Sequence, residues 1–270
     1  MGNDPETKII GAYLEGTKNG RRLFQLMKEI AKIKPLIIWK GGQTEAGVQA
    51  AALHTASLTN STEVWNAAVK QSGAIPVSDL EELIDSLLSF QSISSFSGSR
   101  VAIITGFNTP GGGDCVTSAD ECISWGLKVP PFTNETKKKL NAMLGTTGTI
   151  LRNPLDMGLI KDSIETLKLT LEVINNDPGI DVIMFKIWLS WFRSFFSPLE
   201  IKELLKCLKE FREGYKKPLV VICHSTTPMG MGSEDMKGFD HREIPNYPTV
   251  ARATKALVNM KQYFENRERN

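Results

Sequence analysis

The sequence predicts an α/β protein built from two doubly wound parallel-sheet domains. Short apolar runs rich in β-branched residues alternate with helical patterns, in which apolar residues recur three and four positions apart. This alternation produces right-handed βαβ units and places helices on both faces of a parallel sheet. The chain has 270 residues, a length that suits two cores of roughly 100 to 150 residues each.

The apolar runs are the predicted strands. Consecutive apolar residues between turn residues are typical of parallel strands that are buried on both faces. Five runs fit this description, at residues 8–14, 35–39, 100–105, 181–185 and 218–223, and shorter strands are expected near residues 75, 149 and 244. Helical patterns lie between them, for example Leu23, Leu26, Met27 and Ile30, or Leu204, Leu205, Leu208 and Phe211.

A Ser-rich stretch without helical period marks the predicted domain boundary, with a first domain at residues 1–91, a linker at 92–98 and a second domain at 99–270. The second domain has its own strands and a closing helix from Thr249 to about Arg267. The first offers only three strands, which is few for a sheet covered on both faces. We therefore expect the first domain to be truncated at its N-terminus.

Composition and charge exclude several functional classes. The net charge is +2, with 32 basic against 30 acidic residues, so no overall field favours nucleic acid or an anionic membrane. No segment approaches the roughly 20 apolar residues of a membrane span, and the start lacks a signal or transit pattern, so we expect a cytoplasmic protein. The four cysteines have no metal-ligand or disulfide spacing, so we expect no bound metal.

The segment from Lys40 to Ser61 is the most informative part of the chain. It follows a buried strand and therefore lies at the carboxyl end of a parallel sheet, where ligands bind. Gly41 and Gly42 allow close backbone approach to an anion. His54 follows a helix of small residues and precedes several hydroxyls, a setting that suits a nucleophile carrying phosphate. A partly buried structural histidine is the alternative. Glu15, at the end of the preceding strand, can orient an imidazole; a solvated acid at the strand end is the alternative.

Several motifs of the chain resemble those of the NDP-forming acyl-CoA synthetases related to succinyl-CoA synthetase. They extend over nearly the whole sequence, and the first three are the most specific. They read Tyr13-Leu-Glu-Gly16, Lys40-Gly-Gly-Gln-Thr-Glu-Ala-Gly47, Ala51-Ala-Leu-His-Thr55, Arg152-Asn-Pro-Leu-Asp156 and Ile244-Pro-Asn-Tyr-Pro248. The resemblance implies two flavodoxin-like domains from the ligase region of such an enzyme.

The resemblance also implies residue roles and a reaction. His54 would be phosphorylated, Glu15 would hold its imidazole, and Gly41, Gly42, Thr55 and Ser57 would surround the phosphate. The reaction would be acid + CoA + NTP ⇌ acyl-CoA + NDP + phosphate. This chain would bind no cofactor alone, because CoA and Mg-ATP or Mg-GTP would be held by a CoA-binding domain and an ATP-grasp subunit. A homo-oligomer is a further expectation.

The key motif departs from the usual family pattern at three positions. Leu53 stands where Ser is usual, and Ala56 and Asn60 stand where Gly is common. A methyl group at position 56 could obstruct a tight phosphate loop. The alternative function is therefore a non-catalytic remnant or regulatory interaction module with the synthetase fold. A carboxylate-modifying or carbamoyl-type ligase on the same scaffold is a third, weaker interpretation.

Three features of the second domain are interpreted as structural. The Gly-rich turn at Thr109–Asp114 could cradle an anion, but a bare glycine cluster favours a structural turn. His224 and His241 have no partners at metal-ligand spacing and are expected to be non-catalytic. An aromatic cluster after the strand near residue 181 is expected to form core or a subunit contact; its members are Trp188, Trp191, Phe192, Phe195 and Phe196.

Overall fold

The computed structural model describes residues 1–55, 62–109, 111–145, 150–158, 164–188, 191, 194, 196–224, 239–240 and 242–268. The chain forms two compact units. The first contains Met1–Ser95 together with the end of the chain from Asn259, and the second contains Phe96–Val258. The class expected from the sequence, α/β with two parallel sheets, is confirmed.

The first unit alternates strands and helices in chain order. Its sheet has the order β1-β2-β3, with every neighbouring pair parallel. The elements are β1 (Ile10–Leu14), α1 (Gly20–Ala31), β2 (Leu36–Lys40), α2 (Glu45–Thr55), α3 (Thr62–Ser72), β3 (Ile75–Val77) and α4 (Leu80–Ser92).

Both faces of this three-stranded sheet bury apolar side chains. Successive residues of a strand point to opposite faces, so Ile38 joins a core with Met27 and Trp65, whereas Ile37 joins a second core with Leu83 and Tyr263. Tyr263 comes from the closing helix, so the last residues of the chain complete the second of these cores. Side-chain caps fix the helix starts; for example, Asp79 Oδ1 accepts the N–H of Glu82 at 2.7 Å.

The second unit contains a six-stranded sheet with the order β5-β6-β4-β7-β8-β9. All described pairs are parallel except β5 with β6. The elements are β4 (Val101–Thr105), α5 (Gly112–Ser124), α6 (Asn134–Leu144), β5 (Ile150–Leu151), β6 (Leu155–Asp156), α7 (Ile164–Asn175), β7 (Val182–Trp188), α8 (Pro198–Gly214), β8 (Leu219–His224), β9 (Asn246–Tyr247) and α9 (Val250–Glu268).

The closing helix α9 is shared between the two units. Its residues up to Val258 group with the second unit, and those from Asn259 group with the first. The domain boundaries predicted from the sequence include this whole helix in the second domain. Its apolar period indicates burial but does not identify the core against which it packs. The linker expected at residues 92–98 stays a prediction.

Asp181 joins the starts of two neighbouring strands of the second sheet. Its carboxylate accepts the backbone N–H groups of Ser99 and Arg100 at 2.9 and 2.8 Å, and the Arg100 guanidinium binds both of its oxygens. Burial alone would raise the pKa of Asp181, but the hydrogen bonds from Arg100 and Ser99 outweigh it and hold that pKa below its usual value. The carboxylate therefore stabilises the fold in its ionised form.

We predict that Asp181→Asn lowers the free energy of unfolding by about 1 to 3 kcal/mol at pH 7. The native pKa is depressed, so this contribution is complete above the unfolded pKa of about 3.9 and is lost as pH falls through the native pKa. Urea unfolding of both proteins between pH 7 and pH 3 should show the difference shrinking at the acid end. Asp240→Asn, which disrupts an exposed pair with Arg242, is the control and should lower the free energy of unfolding by less. A difference between Asp181→Asn and the wild type that does not change with pH would contradict this account.

No helix in the described part of the chain is both long enough and apolar enough to cross a bilayer.

Candidate functional site

The candidate site lies where β1 and β2 end, at the carboxyl edge of the first sheet. These strands pair in parallel with Leu14 opposite Lys40, so the residues that follow them, Glu15 and Gly41, emerge side by side. The N–H of Gly41 continues the ladder and donates to the carbonyl of Leu14 at 2.9 Å. The structure thus brings together Glu15 and the Gly41-Gly42 turn, two of the features selected from the sequence.

Lys40 ties these two strand ends together from inside the unit. Its side chain is buried, with 5% of the residue exposed, and its ammonium donates to the carbonyl of Glu15 at 2.6 Å and to that of Gly41. Burial lowers the pKa of Lys40, and the nearby negative charge of Glu15 partly opposes this change. Two strand-end carbonyls therefore satisfy a buried cation that would otherwise be costly.

Lys40 is not among the site residues predicted from the sequence. A signal was present, since Lys40 is the one charged residue in the run Leu36-Ile-Ile-Trp-Lys40, all of which except Trp39 is buried. A charged residue is almost never fully buried unless it is partnered. A lysine at the end of such a strand therefore indicates a local acceptor.

Tyr13 fixes the carboxylate of Glu15. Its hydroxyl donates to Glu15 Oε1 at 3.1 Å, and its ring packs against Trp39 with centroids 4.7 Å apart. Partial burial, followed by the hydrogen bond and charge of Glu15, raises the pKa of Tyr13. The tyrosine therefore keeps its proton at neutral pH and acts as a donor to this carboxylate, a role that the sequence analysis did not assign.

The same tyrosine explains why position 41 is glycine. A Cβ at Gly41 would overlap the Tyr13 hydroxyl and lie 2.9 Å from Cζ of its ring. Since the N–H of Gly41 is used by the sheet, its close contact with Tyr13 accounts for this glycine without a ligand.

The turn after Gly41 leads tightly into helix α2. Gly42 has φ of +67°, a conformation that favours glycine, and a Cβ at Gly47 would lie 3.2 Å from Gly42 Cα. Thr44 caps the helix by accepting the N–H of Gly47 at 3.2 Å. The two glycines at positions 42 and 47 therefore let the turn and the first helical turn touch.

Helix α2 includes His54 next to its last residue, so the backbone of His54 follows from the same turn. The side chains of His54 and Thr55, and the whole of Ser57, lie outside the described residues. The predicted contact between His54 and Glu15, and the predicted phosphate contacts of Thr55 and Ser57, therefore stay predictions. Leu53 is 91% exposed and does not join the core of its unit.

The Gly-rich turn of the second unit holds an internal carboxylate. A Cβ at Gly106 or Gly111 would overlap the Asp156 carboxylate, which accepts the N–H of Gly158 at 2.9 Å. Burial raises the pKa of Asp156, and the hydrogen bonds from Gly158 and Gly111 partly oppose this. Since a side chain of the protein fills this turn, the structure supports the interpretation of a structural turn.

The aromatic cluster of the second unit divides between core and surface. Phe196 packs against the core, with its ring stacked 6.2 Å from Phe107. Trp191 is partly exposed and donates to the carbonyl of Asn108 at 3.3 Å. Trp188 donates through its indole N–H to Asp114. Phe192 and Phe195 lie outside the described residues.

Away from this edge of the first sheet, the described residues include His224 and four cysteines. Burial, followed by the charge of Lys186, lowers the pKa of His224, while His241 lies outside the described residues. All four cysteines are buried thiols, and burial raises the pKa of Cys122 and Cys207 to about 11, which makes them poor nucleophiles. The described residues contain no cluster of three His, Cys, Asp or Glu side chains that could hold a metal.

Known proteins are similar to this chain in both sequence and fold. Residues 1–90 match the family described as succinyl-CoA ligase like flavodoxin domain. The chain is 32% identical over 265 residues to the ADP-forming acetate–CoA ligase II subunit alpha of Pyrococcus furiosus, covering 96% of this chain and 54% of that one. The chain belongs to the NDP-forming acyl-CoA synthetase superfamily.

One further relative and one solved structure show how much of a longer protein this chain spans. It is 33% identical over 267 residues to the ADP-forming acetate–CoA ligase I of Archaeoglobus fulgidus, covering 97% of this chain but 35% of that protein. The structure of an acetyl-coenzyme A synthetase 1 of Ca. Korarchaeum cryptofilum has the same fold, with a TM-score of 0.78, 24% identity and coverage of 99% of this chain and 55% of the other. The chain thus spans about half the length, or less, of the proteins that it matches.

We predict a strong energetic coupling between positions 13 and 41. Gly41→Ala should lower the free energy of unfolding by about 1 to 3 kcal/mol, because the new methyl group collides with the Tyr13 ring. In a Tyr13→Ala background the space is open, and Gly41→Ala should then cost less than about 1 kcal/mol.

A double-mutant cycle by urea unfolding measures this coupling. Gly113→Ala is the control, since a Cβ at that helical position meets no atom within 4 Å. Equal costs of Gly41→Ala with and without Tyr13 would show that the close contact does not determine this glycine.

Proposed function

We propose that the chain is the flavodoxin-like ligase part of an NDP-forming acyl-CoA synthetase that works through a phosphohistidine at His54, oriented by Glu15. The observation that carries the proposal is the constrained Glu15 at the sheet edge. Lys40 holds its backbone and Tyr13 holds its carboxylate, beside the glycine turn that begins the helix carrying His54. The similarity to ADP-forming acetate–CoA ligases supports this assignment.

In the proposed reaction, acid + CoA + NTP ⇌ acyl-CoA + NDP + phosphate, His54 stores the phosphoryl group between two half-reactions. In the half-reaction with NTP, one imidazole nitrogen attacks the γ-phosphorus, the bond from that phosphorus to the bridging oxygen breaks, and NDP leaves. The other nitrogen carries a proton, which Glu15 accepts as a hydrogen bond. This contact fixes the tautomer and stabilises the positive charge that develops on the ring. Tyr13 and Lys40 serve as positioning residues because they restrain Glu15.

The phosphoryl group needs hydrogen-bond donors around its equatorial oxygens. Gly42 keeps the turn small, and Thr55 and Ser57 supply hydroxyls in this proposal. Gly41 contributes mainly by admitting Tyr13, since its N–H is committed to the sheet. The two glycines therefore have different roles: Gly41 makes room for the tyrosine that orients Glu15, and Gly42 forms the turn.

CoA and Mg-ATP or Mg-GTP would be bound by other parts, namely a CoA-binding domain and an ATP-grasp subunit. The difference in length between this chain and its relatives supports separate binding parts, because the chain covers only 54% of the Pyrococcus furiosus subunit. The surface of helix α2 agrees with it: Ala46, Ala50 and Leu53 are exposed and recur at helical spacing. An apolar stripe beside the proposed phosphohistidine suits contact with a domain that delivers the phosphoryl group.

A non-catalytic interaction module is the rival function. The exposed Leu53 favours it, because an apolar side chain next to His54 serves a contact surface whether or not phosphate is transferred. Only the chemistry of His54 separates the two functions.

We expect the chain to incorporate phosphate from γ-labelled ATP and Mg²⁺ when a recombinant ATP-grasp partner is added. The label should be acid-labile and base-stable, absent in His54→Ala, and at least tenfold slower to form in Glu15→Gln, which keeps the shape but loses the charge that stabilises the imidazolium. His224→Ala is the control and should be labelled like the wild type. A wild type that is folded but unlabelled, with an active partner, would favour the interaction module.

We also expect the purified chain to show no acyl-CoA synthetase turnover alone. Turnover should appear only after CoA-binding and ATP-grasp parts are added, since the proposal assigns CoA and nucleotide to them. A coupled assay of NTP formation from acyl-CoA, NDP and phosphate measures this. Turnover by the isolated chain would contradict the proposed dependence.

A further inference from the structure

A cavity of about 160 Å³ opens at the carboxyl edge of the second sheet. Its walls come from the middle of α5, the ends of β7 and β8, and the first residues of α9. This edge is where doubly wound sheets bind ligands. The glycines of the Gly-rich turn, which Asp156 fills, are not among the residues that line this cavity.

Ser118 is the polar group that most clearly lacks a function in the fold. It is 1% exposed and lines the cavity, and its hydroxyl has no hydrogen-bond partner in the part of the chain that the structure describes. Its neighbour Thr117 behaves differently, since that hydroxyl donates back to the carbonyl of Gly113 at 3.1 Å. A buried hydroxyl without a partner is unfavourable, and a ligand in the cavity would satisfy it.

The start of helix α9 adds backbone donors to the same cavity. The helix is 19 residues long, and Thr249 caps it by accepting the N–H of Arg252 at 3.2 Å. The N–H groups of Val250 and Ala251, which also line the cavity, have no acceptor within the helix. The partial positive charge of the helix start favours an anion at this point.

Lys186 supplies a cation that is held in place. Its ammonium binds Asp114 Oδ1 at 2.7 Å, and the two side chains are only 9% and 12% exposed. Asp114 also accepts the indole N–H of Trp188, so the pair is braced from a second side. Asp114 accepts one of the three ammonium protons of Lys186. Because Lys186 also lines the cavity, its other protons can be donated to a ligand.

Glu121 restricts the kind of anion that fits. It is the carboxylate among the lining residues, and a fully ionised oxyanion would meet its charge without a compensating hydrogen bond. A protonated oxyanion instead donates its hydroxyl to that carboxylate, while its other oxygens accept from the remaining donors. Hydrogen phosphate has such a hydroxyl and sulfate at neutral pH has none.

We propose that this cavity binds a protonated phosphate group, either free phosphate or a small phosphomonoester, whose oxygens accept from Ser118, Lys186 and the start of α9 and whose hydroxyl donates to Glu121. The site does not depend on His54 or on the proposed synthetase function. It is a binding site that this chain's second unit forms from its own residues.

Equilibrium dialysis of labelled inorganic phosphate against the full chain at pH 7 tests the proposal. The His54→Ala chain is used throughout, so that the proposed phosphohistidine does not contribute. Ser118→Ala should weaken phosphate binding at least tenfold, whereas the control Ser124→Ala should not. Ser124 lies on the same helix but does not line the cavity, and its hydroxyl donates to the Glu121 carbonyl at 2.9 Å. Sulfate should compete at least tenfold less well than phosphate, and Glu121→Gln should narrow that difference.

A second readout separates binding from folding. Without phosphate, Ser118→Ala should melt at the same temperature as its His54→Ala parent or higher, because the change removes a buried hydroxyl without a partner. Competition by glycerol 3-phosphate distinguishes the two ligands. Stronger competition than by phosphate assigns the site to a phosphomonoester, and weaker competition assigns it to free phosphate.

No phosphate binding at millimolar concentration, binding that Ser118→Ala leaves unchanged, or equal competition by sulfate would each overturn the proposal. A lower melting temperature of the phosphate-free Ser118→Ala chain would do so too, since it would show that the hydroxyl is already satisfied.

Discussion

The buried ammonium of Lys40 and the parallel register of β1 and β2 together define the candidate site. The register places the ends of the two strands side by side, and the ammonium then binds a carbonyl from each. Because an unpartnered buried cation is unfavourable, the position of Glu15 is linked to the stability of the unit. Tyr13 restrains the carboxylate itself, so both the backbone and the side chain of Glu15 have defined positions.

Glycine-rich turns in both units accommodate side chains of the protein itself. Gly41 admits the ring of Tyr13, and Gly106 and Gly111 admit the carboxylate of Asp156. A glycine cluster after a strand therefore does not identify an anion site until the nearby side chains are known. In the second unit the groups that do point to a ligand, Ser118 and the start of α9, lie away from the glycines.

Most of the architecture could be predicted from local sequence, because β-branched apolar runs and helical periods are local signals. The runs at residues 35–39 and 218–223 correspond to the observed β2 and β8. Contacts set by the register between distant segments could not be predicted. Tyr13 meets Gly41, and Lys40 meets Glu15, only because β1 and β2 pair in one register. The residues of α9 divide between two compact units, although the period of that helix indicates only burial.

In the proposed function, Glu15 is held in place to serve a phosphorylated His54. Mass spectrometry under non-acidic conditions, on the chain isolated after reaction with Mg-ATP and an active ATP-grasp partner, locates the phosphoryl group directly. The account predicts phosphate on the peptide that contains His54, and a much lower yield from Glu15→Gln. Phosphate on another residue, or none on a folded chain, would contradict it.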